Sequence, residues 1–370
     1  FKQKTAYEIR NCDWSSDVCS SDLVGVLLLA VLVAVVDLGS TTNVRRALLV
    51  LATLVTATTM TRSLYHPVWA VIIVVFGLWL LRRRIDRRTI IAVLAIPIVV
   101  IGGWMAKNQY LYGEPTLSSW FGMNLQRAVI PVLPKDDLDH LYATGEVSQI
   151  AMIGPFGRYD LYADSMPPCE PKHDHRSVTE PMRRTDEWSP NFNYECFLPI
   201  FAQAGDDAWT VIREYPGAWL KGRMWSLRTT FAVSLNPRDS ESFVMRGLDT
   251  VYSVGRLDMG GVLSTSGWGT PIYGQLEAPV DFGLVLIPMY GSVIVLGAWS
   301  VIKRLLRRGL GPLDPVLAVA AFTVAFTILV GAVAELGEQA RFRTMTDPIV
   351  TVVVIALVVR RQSQARSVGR

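Results

Sequence analysis

The side chains with the most chemical potential in this sequence are guanidinium, imidazole and carboxylate groups set beside long apolar runs. Residues 334–348, AELGEQARFRTMTDP, carry Glu335, Glu338, Arg341, Arg343 and Asp347 between apolar runs at 313–333 and 348–359. Charge at a membrane boundary is costly to desolvate and marks either a site or an anchor. As a site, the stretch is a short turn. Arg341 and Arg343 there grip a phosphate, and Glu335 or Glu338 orient them. As an anchor, it is a solvated loop whose arginines snorkel to headgroups.

Two further stretches carry matching groups. Residues 61–69, TRSLYHPVW, supply Arg62 and His66, and Lys107 lies just past another apolar run. Arginine offers a planar fork suited to phosphate oxygens. His66 either adds a hydrogen bond or proton to such a site or caps a helix end. Membrane proteins concentrate Lys and Arg on the cytoplasmic side. Alternating the apolar runs across a membrane puts Arg62, Lys107, Arg341 and Arg343 on the opposite side, and an anionic ligand is the simplest reason.

The elements that must position these groups are apolar segments. The chain has 370 residues, 51% hydrophobic and 18% charged, with net charge +4 and mean hydropathy +0.31. This composition excludes an ordinary soluble domain and predicts an α-helical polytopic membrane protein with about seven spans. The spans read as 24–36, 47–60, 67–81, 90–105, 281–301, 313–333 and 348–359, with Pro97 kinking the fourth. Basic clusters occur at Arg45-Arg46, 82–88 (RRRIDRR), 303–308 (KRLLRR) and after 359. Alternating seven spans puts all four on one face, the cytoplasmic one, and leaves 61–66, 107–280 and 334–347 on the other. The expected organisation is transmembrane helices at 24–106, a mixed, loop-rich external domain at 107–280, and transmembrane helices at 281–370. The expected location is a plasma (inner) membrane with the C-terminus cytoplasmic.

Within the external segment, 131–184 reads as loop. Asp206 or Asp207 is expected to cap a helix beginning DDAWTVIREY. After Pro216, the residues Trp219, Leu220, Met224, Leu227 and Phe231 form an apolar face, with Lys221, Arg223 and Arg228 elsewhere. That helix either lies in the membrane interface or packs in the external core. Residues 255–274 read as a Gly/Ser-rich loop. Cys169 and Cys196 fall in a non-cytoplasmic segment, where an even count favours a disulfide. Glu170, His173, Asp174 and His175 in CEPKHDH have metal-binding types, but a solvated patch is the commoner outcome in a polar loop. No Gly-rich phosphate loop or Walker lysine is present, so neither ATP-driven chemistry nor a nucleic-acid partner is expected.

Residues 1–23, FKQKTAYEIRNCDWSSDVCSSDL, have no link to the rest of the chain and resemble a translated sequencing-library adapter. Lys2 to Ile9 and Asp13 to Asp22 match its two halves. The expectation is that they are non-native and that the reading frame enters a longer gene upstream of residue 24.

Motif order adds a resemblance. The SLYHP turn, then WMAKNQYLYGEPTLSSWFGMNL, NFNYECFLPIFAQ, DDAWTVIREYPGAWL and GEQARFRTMTDP resemble the GT-C class of membrane glycosyltransferases, in the protein-mannosyltransferase-like branch. The resemblance implies transfer of a sugar from a polyprenyl-phosphate carrier to an extracytoplasmic acceptor. It assigns lipid-phosphate binding to Arg341 and Arg343, with Arg62, His66 and Lys107 beside them. The class carries its catalytic acidic residue, and any divalent metal, on a first external loop. That loop would lie upstream of residue 24, so the chain as given is expected to be inactive. A transporter or flippase of lipid-linked saccharides and a noncatalytic envelope protein are the competing readings.

Overall fold

The computed structural model describes residues 12–183, 186–231, 256–258, 281–283, 285–306, 311, 313–334 and 339–368. Backbone in hydrocarbon must satisfy its own hydrogen bonds, so the apolar runs become helices. The first four are α1 (Cys12–Ser40), α2 (Val44–Thr61), α3 (Pro67–Leu81) and α4 (Arg87–Tyr112). A helical lobe comes next, built on α5 (Phe121–Val129), α6 (Lys135–Ala143), α7 (Phe197–Glu214) and α8 (Pro216–Thr230). The chain ends with α9 (Leu286–Leu305), α10 (Asp314–Ala334) and α11 (Gln339–Val368).

Among the described residues, six stretches are long and apolar enough to cross a membrane. They are Leu23–Ser40, Val44–Thr61, Arg87–Tyr112, Leu286–Leu305, Asp314–Val333 and Phe342–Ser363, and the shorter α3 is also apolar. The molecule is an α-helical multi-pass membrane protein. Short polar caps begin the spans. Asn43 Oδ1 accepts from the Arg46 N–H at 3.1 Å, and Asp86 Oδ1 accepts from the Thr89 N–H at 3.1 Å. Each such cap contributes about 1 kcal/mol. α4 ends at Gly113, whose left-handed φ of 76° favours glycine. Pro97 lies inside α4, which continues past it.

The bundle core unites α1–α4 with α9–α11 through residues such as Leu28, Leu51, Trp69, Ile73, Val293 and Val350. α9 and α10 approach closely at Gly297, where a Cβ would stand 2.2 Å from that of Ala321 and 2.3 Å from the Leu317 carbonyl oxygen. At one end of the bundle, Arg304 of α9 lies over the Trp79 ring near the end of α3, and Lys303 Nζ meets Asp314 Oδ1 at 2.8 Å. At the other end, Tyr65 of the α2–α3 turn meets Thr327 of α10 at 3.2 Å. The ends of α3 and α9 therefore share one side, as the alternation of basic clusters requires.

The lobe differs from the loop-rich expectation. Residues 131–184, read as loop, hold α6 and helical turns at Gln149–Met152, Tyr159–Ala163 and Arg176–Thr179, and a 3-10 turn, Ile130–Val132, leads into them. Among the described residues, antiparallel pairing is confined to Met182–Arg183 with Asp186–Pro190, and Arg256–Asp258 with Asp281–Gly283. Apart from Arg256–Asp258, the Gly/Ser-rich stretch 255–274 lies outside the described residues. The lobe's buried apolar residues are Phe197, Ile200, Phe201, Ala204, Ala208 and Val211 of α7, packed on Met123, Leu125 and Leu133. That spacing continues a helical face upstream of Asp206, so α7 starts at Phe197 and neither aspartate caps it. Asp207 instead accepts from the Ser148 N–H and hydroxyl at 3.0 and 2.6 Å, bracing the start of a neighbouring helical turn. Cys169 and Cys196 form a disulfide beside this core.

Candidate functional site

The predicted turn at 334–348 is helical from Gln339 onward. Arg341, Arg343 and Asp347 occupy the first turns of α11, and the apolar stretch starts at Phe342 rather than Pro348. Ridge continuity explains this, because Phe342, Met345, Ile349, Val350 and Val353 all bury against the bundle at helical spacing. Glu335 and Glu338 lie outside the described residues, as does the side chain of Arg341.

Arg343 is only 2% exposed. Its Nη1 donates to the Thr230 carbonyl at 3.2 Å, and its Nε lies 3.6 Å from Asp347 Oδ2, one turn on. The Tyr290 hydroxyl donates to Asp347 Oδ1 at 2.6 Å and lies 3.0 Å from the Thr346 hydroxyl. Thr346 Oγ1 in turn donates to the Arg343 carbonyl at 2.9 Å. α8, α9 and α11 thus meet at a buried charge pair with a shell of hydroxyls. Burial makes each charge costly, and the pairing with these hydrogen bonds offsets that cost. Sequence reading named Arg343 and Asp347 but missed Tyr290, Thr346 and Thr230. A lone Tyr at the start of an apolar helix gives no sign of its partner.

Arg62 reaches the start of α11 from the α2–α3 turn. Its guanidinium carbon stands 5.8 Å from the centroid of Phe342, between Arg341 and Arg343 in sequence. Phe342 also lies close to Gly331 of α10, where a Cβ would approach its ring to 2.8 Å. The structure therefore brings together the two stretches that the sequence reading paired.

His66 takes its capping role. Its Nδ1 accepts from the Val68 N–H at 3.3 Å at the start of α3, with Pro67 in the first helical position. Partial burial of the ring holds its pKa below the usual histidine value, favouring the neutral form that this bond needs. Lys107 lies on an exposed part of α4 with its Nζ 3.8 Å from the Trp104 ring centroid. That is a cation–π contact of a kind common in interfacial belts.

Arg223, expected on a polar helix face, is buried. It donates to the carbonyls of Ala332 at 2.5 Å and Val333 at 2.7 Å, and to that of Ala128. These groups close the last turn of α10 and the end of α5, where a cation also complements the helix dipole. Gly222 beside it lets α8 approach, since a Cβ there would meet Val132 and the Ala128 carbonyl. Nothing in the local sequence signals the direction this arginine takes.

The CEPKHDH cluster does not converge. His173 Nδ1 lies 3.1 Å from Glu195 Oε2, and that oxygen also accepts from the backbone N–H of Lys172 and of His173. Among the described residues no group of three or more His, Cys, Asp or Glu side chains is placed to hold a metal ion. No protein-family model matches the chain, and neither a curated protein nor a solved structure was found to be similar to it.

Proposed function

We propose that this protein holds the phosphate of a polyprenyl-phosphate-linked sugar where Arg62 meets the start of α11, and belongs to an extracytoplasmic membrane glycosyltransferase. The observation that carries this reading is the meeting of Arg62 with Phe342, between Arg341 and Arg343. It supports the reading by bringing the turn that carries Arg62 to the start of α11, at one end of the bundle. There hydration is partial and charge-assisted hydrogen bonds to phosphate are about twice as strong as neutral ones. Arg343 then has a supporting role, because its pairing with Asp347 and Thr230 fixes the first turns of α11. His66 sets the α2–α3 turn that carries Arg62, and Lys107 contacts Trp104 on its own helix. A donor already activated as a lipid phosphate requires no nucleotide.

The test is binding, with the full chain in lipid nanodiscs and a short-chain polyprenyl phosphate as probe. Arg62→Ala is expected to weaken binding by on the order of tenfold or more, and Arg62→Lys, which keeps charge but loses the fork, by less. Unchanged affinity in Arg62→Ala refutes the site.

One observation favours transport of lipid-linked saccharides instead. Arg343 and Asp347 are buried charges on a span-length helix, and such residues mark translocation pathways in many carriers. Movement of a labelled lipid-linked sugar across proteoliposomes containing this chain alone would select that reading.

A further inference from the structure

We propose that α8 is a bilayer-embedded surface helix, with Leu220, Met224 and Leu227 sunk among the acyl chains of the leaflet at the Arg62 end of the bundle.

The starting point is an exposed apolar stripe. In water, an amphipathic helix buries its apolar stripe and exposes its cations. α8 departs from this in part: of its expected apolar face, Trp219 and Phe231 pack inward, whereas Leu220 and Met224 point outward and Arg223 points in. Gly222, Arg223, Ser226 and Thr230 face the protein and are buried. Leu220 is 57% exposed and Met224 60% exposed, and Leu227, at the next helical step, is partly exposed. Such an outward stripe is unfavourable against water and favourable against hydrocarbon.

Position supplies the second line. Arg223 is fixed on the carbonyls of Ala332 and Val333, the last turn of the span-length stretch Asp314–Val333. The Thr230 carbonyl accepts from Arg343, in the first turn of the stretch Phe342–Ser363. Both anchors lie where a span meets the membrane surface, so α8 runs along that boundary. Leu329 and Val333, one turn apart on α10, are also exposed and present an apolar side near the same anchor. Lys221 is exposed beside Leu220. A lysine there reaches headgroups while its neighbours enter the chains. The inference is independent of whether the site binds a lipid phosphate.

The test uses the full chain with Cys12→Ser and Cys19→Ser, leaving the Cys169–Cys196 disulfide intact. A nitroxide is attached at Leu220→Cys, Lys221→Cys or Met224→Cys after reconstitution into phosphatidylcholine–phosphatidylglycerol vesicles. Collision with oxygen, which concentrates in hydrocarbon, is compared with collision with a water-soluble nickel chelate. Oxygen is expected to exceed the chelate by on the order of tenfold at 220 and 224, with the order reversed at 221. Preference for the chelate at 220 and 224 would place the stripe in water and overturn the proposal. Exclusion of both reagents would mean a protein surface, a partner or a second copy, and would also overturn it. In the unlabelled chain, oxidation of Met224 by aqueous peroxide should be slowed by about tenfold or more relative to the denatured chain. Oxidation at the denatured rate counts against the proposal without any substitution.

Discussion

At the scale of single residues, the cost of charge in a low-dielectric interior governs what each side chain does. Arg343 and Asp347 neutralise each other, so removing one strands the other. Arg343→Ala or Asp347→Ala is expected to cost about 3–5 kcal/mol, whereas the joint change of both to Leu should cost clearly less than either alone. Chemical unfolding in detergent measures all three, and a double variant as damaged as the sum of the singles would remove the coupling. His66 gives a pH signature. Its folded pKa is depressed from 6.5, so its contribution is full above that value and is lost as pH falls through the folded pKa. The α2–α3 turn should therefore loosen on acidification, by at most about 1 kcal/mol. His66→Asn keeps an acceptor at every pH, and comparing unfolding midpoints at neutral and acidic pH should show that the variant lacks this dependence.

At the scale of elements, close approach decides which helices pair. Gly297 allows α9 to rest on α10 with no room for a methyl group. Gly297→Ala should push the helices apart and destabilise the bundle by about 1–3 kcal/mol, measurable as a lower thermal midpoint in detergent. Helix starts and stops follow local chemistry. Asn43, Asp86 and Pro67 open helices, Gly113 closes one, and Pro216 separates α7 from α8. Local signals did not fix α7 or α11, which run back through Asp206 and Arg343 because their apolar faces continue upstream. A cap-like aspartate or a run of charges marks a boundary only when the packed face stops there.

At the scale of the whole molecule, a lobe stands on a membrane bundle, and Arg223 pins the two together through the ends of α5 and α10. Arg223→Met keeps much of the packing volume but removes the donors. It should raise amide exchange at the end of α10 and along α8 while leaving the cores of lobe and bundle protected. Equal exchange in wild type and variant would deny Arg223 that role. The lobe is also closed by the Cys169–Cys196 bond. A loop with sequence separation 27 is worth about 3–4 kcal/mol in the chain-entropy model. Reduction should lower the unfolding midpoint of the lobe and spare the bundle.

Hydropathy by itself determined that this is a multi-pass helical protein, because length and apolarity of a span are local properties of a chain in hydrocarbon. The sequence also assigned the Arg62 turn and residues 334–347 to one side of the membrane, while the contact that joins them, Arg62 on Phe342, came from the tertiary structure. Only the tertiary structure decided where the charges point. Arg343 turns to Asp347 and Thr230, Arg223 to the ends of two helices, and His66 to its own turn. Those directions depend on which carbonyls and hydroxyls other helices bring within hydrogen-bond reach, and periodicity along one segment carries no record of its neighbours.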